Sequence, residues 1–112
     1  MIATKPLTWC GDSYEVLRGL SDDLQDDLGF MLHQVQAGLT PSNYRPMAGV
    51  GPGVYELRAS DQDGIARAMY IAKYPEAVYV LHVFQKKAQK TPKSDMDKAA
   101  DRLREINRER QK

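Results

Sequence analysis

Three stretches decide the fold: Val54-Tyr55-Glu56-Leu57-Arg58-Ala59, Ala66-Arg67-Ala68-Met69-Tyr70-Ile71-Ala72-Lys73-Tyr74 and Ala77-Val78-Tyr79-Val80-Leu81-His82-Val83-Phe84-Gln85. Each is rich in the β-branched and aromatic residues that fit a pleated surface. Asp61-Gln62-Asp63-Gly64 separates the first two, and Tyr74-Pro75-Glu76 separates the second from the third. Both separators have hairpin length, so the three strands are expected to form an antiparallel meander. Strand alternation then assigns faces. Glu56 and Arg58 oppose Tyr55 and Leu57, while Arg67, Met69 and Ile71 oppose Ala66, Ala68 and Tyr70. In the third strand Val78, Val80, His82, Phe84 and Lys86 alternate with Tyr79, Leu81, Val83 and Gln85. Arg58, Arg67 and Lys86 are therefore expected to converge on the open face, with Lys87 just beyond.

Upstream of the meander the period is helical. Leu7-Thr8-Trp9-Cys10 reads as a short strand stopped by Gly11. Asp12 and Glu15 have capping-box spacing at the start of a short helix that Gly19 ends. Ser21 is expected to cap a longer helix, with Leu24, Leu28, Met31 and Val35 as its apolar stripe and Gly38 as its stop. Residues 39–53, with Pro41, Pro46, Gly49, Gly51, Pro52 and Gly53, are expected to be loop. Downstream, Pro92 breaks the chain, Ser94 and Asp97 suggest a second capping box, and Met96, Ala99, Ala100, Leu103 and Ile106 form a last helical stripe. The polar residues 107–112 are expected to fray. The order is β-α-α-β-β-β-α: an α+β fold, a twisted and mainly antiparallel sheet with helices packed on one face. Its other face is either covered or works as a surface.

With 112 residues the chain is expected to be one domain, 1–112, of ordinary globular composition, 42% hydrophobic and 28% charged. The lone Cys10 excludes an intramolecular disulfide and reads as buried filler. No apolar run approaches the roughly 18 residues that span a bilayer, so a soluble, cytoplasmic protein without membrane contact is expected. The net charge of +1 conceals an asymmetry: residues 1–53 carry −3 and residues 54–112 carry +4. Between Glu76 and Asp95 no acid occurs, whereas Lys86, Lys87, Lys90 and Lys93 all do. Such clustering suits a polyanion, or it is a solvated lysine-rich loop. Arg grips phosphate oxygens bidentately and Lys acts as a mobile point charge, so the basic face suits a phosphodiester. Each candidate also has a plainer reading. Arg58 pairs with a neighbouring carboxylate, His82 is a satisfied core histidine, Tyr70 packs in the core, and His33 sits on a helix surface.

Gly53-Val54-Tyr55-Glu56-Leu57-Arg58, Arg67-Ala68-Met69-Tyr70 and Leu81-His82-Val83-Phe84-Gln85-Lys86-Lys87-Ala88-Gln89-Lys90-Thr91-Pro92 resemble the core of HigB-like, phage-related toxins of the RelE/ParE superfamily. The last string is the most specific, and the resemblance covers nearly the whole chain. It implies a RelE-like fold and a type II toxin that cleaves mRNA without metal or cofactor, commonly in the ribosomal A site. It also implies a neighbouring helix-turn-helix, HigA-like antitoxin as partner, besides ribosome and mRNA. By that resemblance Arg67 stabilises transition-state charge. Lys86 and Lys87 bind phosphate or supply the acid, Glu56 is the base or orients Arg58, and Lys90, Lys93 and Tyr70 contact RNA. Several relatives carry a Tyr or His shortly after the last strand; here Tyr70, Tyr74 and His82 are the nearest substitutes. The same fold serves ParE-like toxins that inhibit gyrase by contact, and degenerate interaction modules, so those readings stand beside the nuclease.

Overall fold

The computed structural model describes residues 4–62, 64–86 and 91–112, with Lys86 described by its backbone alone. The chain runs β1 (Leu7–Trp9), α1 (Ser13–Arg18), α2 (Asp22–Gln36), β2 (Tyr44–Pro46), β3 (Val54–Asp61), β4 (Gly64–Ile71), β5 (Val78–Lys86) and α3 (Lys93–Arg110). The strands form one open sheet in the order β1-β5-β4-β3-β2. β3, β4 and β5 are the expected antiparallel meander, with Asp61 opposite Gly64 across a tight reversal and β1 added parallel to β5. The α+β architecture is therefore the expected one, mainly antiparallel and with helices packed on the sheet.

The core divides along the sheet. Leu57, Ala59, Ala66, Ala68, Tyr70, Val78, Val80 and Val83 meet Leu24, Leu28, Met31, Leu32 and Val35 of α2 and Leu17 of α1. The four-three-four spacing of the α2 stripe places these side chains on one side of the helix, and their burial drives its docking. Ser21 caps α2 as expected, its hydroxyl accepting from the Leu24 amide at 3.2 Å. Gly38, at φ +78°, turns the chain away after the helix. Across the opposite face, Val54, Met69, Ile71, Leu81 and Phe84 pack against Ala99, Leu103 and Ile106 of α3. The question left open by the sequence is thus answered: α3 covers part of that second face.

Four local features differ from expectation. The segment expected as loop contains β2, which pairs with β3 at the sheet edge. An edge strand tolerates Pro46 because one of its sides needs no ladder donor. A bulge between Met69 and Tyr70 sets Tyr70 opposite Val80 but Met69 opposite His82, so Leu81 is the extra residue. Strict alternation therefore fails in β5: Val78, Val80 and Val83 enter the α2 core, whereas Leu81 and Phe84 meet α3. Asp12 stands at the start of α1 without capping it, because its carboxylate is drawn to Arg102 at 3.0 Å. Finally, α3 begins at Lys93 after Pro92, with Ser94 inside the first turn, and it continues to Arg110 rather than fraying at 107. Asn107 accepts a hydrogen bond from the Tyr74 hydroxyl, and Arg110 pairs with Glu76 while lying 3.9 Å from the Tyr74 ring centroid. These contacts fasten the last turns.

Candidate nucleic-acid interface

Register across the sheet builds the site. Arg45 of β2 stands opposite Glu56, and Glu56 opposite Met69. One row along, Arg58 stands opposite Arg67, and Arg67 opposite Phe84. Glu56, Arg58 and Arg67 therefore share the face that carries α3, as alternation requires. Glu56 and Arg67 are both fully buried. The carboxylate of Glu56 has both oxygens engaged: Oε1 accepts from Arg58 Nε at 2.7 Å and Oε2 from the Thr91 hydroxyl at 2.9 Å. Thr91 Oγ1 in turn accepts from Arg67 Nη1 at 2.8 Å. The Arg67 guanidinium lies 5.9 Å from the Phe84 ring centroid, within cation–π range. Burial, then the like charge of Arg58, push the Arg67 pKa down, while Glu56 opposes both and Arg45 adds to the depression. An arginine so perturbed still keeps its charge at neutral pH.

Solvent reaches this cluster through Arg58, whose side chain is 12% exposed. Arg58 lines a cleft of about 250 Å³ together with Asn43, Arg45, Ala59, Ser60 and Ile65. Two guanidiniums thus border one opening, the inner one held by a buried carboxylate. An arginine held by a buried carboxylate, with a second arginine beside it, is suited to the oxygens of a phosphodiester. A larger cleft, about 440 Å³, lies elsewhere, between α3 and the end of β1, and shares no lining residue with the arginine cleft.

The remaining candidates separate. Tyr70 belongs to the α2 side of the sheet, packed at 6.0 Å on Tyr55, and is not brought together with Arg67. Burial, with Tyr55 and Tyr44 beside it, pushes its pKa up to about 12, so it remains a neutral phenol. Lys93 is exposed in the first turn of α3 and pairs with Asp97 at 2.9 Å. Lys86 pairs by its backbone with Ile65 at the end of β5, next to the row of Arg58 and Arg67. Lys87 and Lys90 lie outside the described residues. His82 is buried and satisfied on both nitrogens. Arg102 Nη1 donates to Nδ1 at 3.1 Å, which leaves Nε2–H to donate to Asp95 Oδ1 at 2.7 Å. Burial lowers the His82 pKa despite the hydrogen bond and charge of Asp95. It is the core histidine of the plainer reading.

Sequence reasoning missed Arg45 and Thr91 as members of the cluster. Arg45 lies in the stretch whose prolines and glycines read as loop, although Tyr44-Arg45-Pro46 has the form of a short edge strand. Thr91 precedes Pro92, a position held to extended backbone, and that restriction was the available signal. Cys10 is half-buried rather than buried, and burial pushes its thiol pKa up. Among the described residues no three His, Cys, Asp or Glu side chains are placed to hold a metal ion, and no helix is long and apolar enough to cross a membrane. No curated protein matches the chain. The family described as Phage derived protein Gp49-like (DUF891) does match, over residues 15–104, from α1 through most of α3. The chain therefore belongs to the Gp49-like phage-derived proteins, a family of RelE-like toxins.

Proposed function

We propose that this protein is a HigB-like toxin: a metal-independent endoribonuclease that cleaves mRNA, in the ribosomal A site, until a helix-turn-helix antitoxin silences it. The observation that carries this reading is Arg58, fixed by buried Glu56 and presented beside Arg45 at an open cleft, with Arg67 directly behind. In the reaction the ribose 2′-hydroxyl gives up its proton to solvent water as its oxygen forms a bond to the adjacent phosphorus and the bond to the 5′-oxygen breaks. Charge accumulates on the non-bridging oxygens, where preorganised cations are most effective. Arg58 and Arg45 take that position, and Arg67 adds field from within the sheet. Glu56, with both oxygens occupied, acts as the group that orients Arg58. Lys86 or Lys87 supplies the proton to the leaving 5′-oxygen, and Lys90 and Lys93 hold flanking phosphates.

A second reading has an observation of its own. Full burial of Arg67 and Glu56 suits a ParE-like protein that inhibits gyrase by surface contact and needs no reacting groups. Purified toxin added to translating ribosomes, with mRNA ends mapped, separates the two. Cuts inside codons support the nuclease. Intact message together with inhibited DNA supercoiling by gyrase supports the contact inhibitor.

A further inference from the structure

We infer that Thr91 is a positioning residue of the arginine site, a hydroxyl clasp that fixes Glu56 and Arg67 relative to one another. This rests on the reading that the arginine cluster meets RNA. Thr91 is buried at 9% exposure and lies 24 residues from Arg67 and 35 from Glu56 along the chain. Its hydroxyl has one proton to give, and that proton goes to Glu56 Oε2 at 2.9 Å. Thr91 Oγ1 itself accepts from Arg67 Nη1 at 2.8 Å. One small side chain therefore bridges a buried anion and a buried cation. Glu56 passes the constraint to Arg58 through its other oxygen. The position in the chain adds a second effect. Thr91 closes the stretch that starts at Lys86, and Pro92 and the first turn of α3 follow it directly. Docking Thr91 onto the sheet thus ties the start of α3 to the arginine cluster. In a low-dielectric place such a relay holds orientation far more firmly than the same groups in water.

Thr91→Val keeps the shape and removes the hydroxyl, whereas Thr91→Ser keeps the hydroxyl. Arginine side-chain NMR on the full chain reads the clasp directly, through separate Nη signals from Arg67 and a protected Thr91 hydroxyl proton. Both signals are expected in the wild type. In Thr91→Val the Arg67 Nη signals should merge, and cleavage at saturating ribosomes should fall by about 10²-fold, the size of loss that misplacement of a catalytic group brings. The apparent KM should change little, and Thr91→Ser should restore both readouts. A wild type without the protected hydroxyl proton overturns the clasp without recourse to any variant. Unchanged Arg67 signals in Thr91→Val, or wild-type cleavage by it, overturn it equally. If the wild type cuts no message, the nuclease reading falls while the two NMR signals still decide the clasp.

Discussion

At the scale of single residues, the buried ion pairs set the energetics. Glu56 carries a charge at zero exposure, which the donation of Arg58 and Thr91 to its two oxygens helps to stabilise. Glu56→Ala leaves two arginines near an unfilled apolar gap and should cost about 3–5 kcal/mol of stability, read from urea unfolding. Removing the Arg58 guanidinium in Arg58→Ala should cost a similar amount, because the buried Glu56 carboxylate is then left without its cationic partner. Its loss should lower cleavage by about 10²–10³-fold at saturating ribosomes, the scale for one preorganised donor to transition-state charge. His82 gives a pH prediction. Its folded pKa lies below its ordinary 6.5, because burial disfavours the imidazolium. Below pH 6.5 the unfolded chain takes up a proton that the folded chain refuses. The contribution of His82 is therefore fully present above pH 6.5 and is lost as pH falls through the depressed value. Urea midpoints should drop on acidification below 6.5 more steeply in the wild type than in His82→Gln. Parallel curves would show that His82 is not the group refusing the proton.

At the scale of elements, periodicity was legible wherever it was regular. The meander and its hairpins followed from β-branched runs and short polar separators. The α2 stripe followed from Leu24, Leu28, Met31 and Val35, all of them buried. Leu28→Ala should accordingly cost about 2–5 kcal/mol, because the sheet below cannot collapse into the gap. What escaped the sequence was long-range. The bulge in β5 has no glycine to announce it, since Leu81 and His82 are two bulky residues turned to one face by the register shift. That shift brings His82 to Asp95 of α3 instead of burying it against α2. The N-cap expectation at Asp12 failed because a partner 90 residues away, Arg102, outcompeted the local helix amides. The last turns of α3 look too polar to persist, yet Tyr74 and Glu76 from the opposite end of the meander hold them. The candidate site divides in the same way. Glu56, Arg58 and Arg67 were readable by alternation, whereas Arg45 and Thr91 join them only through tertiary packing.

At the scale of the whole molecule, charge is unevenly distributed, with −3 over residues 1–53 and +4 over residues 54–112. Of the lysines between Glu76 and Asp95, Lys86 ends β5 and Lys93 begins α3, with Lys87 and Lys90 between them in the sequence. Binding through several phosphates should weaken with salt in proportion to the contacts made, a slope of about −0.7 per contact on single strands. Lys90→Gln with Lys93→Gln should flatten that slope for ribosome or RNA binding and leave the chemical step nearly unchanged. Identical slopes would reduce the run to a solvated loop. Cleavage driven by arginine and lysine should also survive EDTA on a free RNA substrate, where ribosome integrity is not at issue. Attack by the ribose 2′-OH in a field of protein cations leaves its signature in the chemistry of the cut ends. End-group analysis of message cleaved by the wild-type protein on purified ribosomes should find 2′,3′-cyclic phosphate, or the 3′-phosphate it hydrolyses to, opposite a 5′-hydroxyl. Ends bearing a 5′-phosphate and a 3′-hydroxyl, or no cut at all, would contradict it.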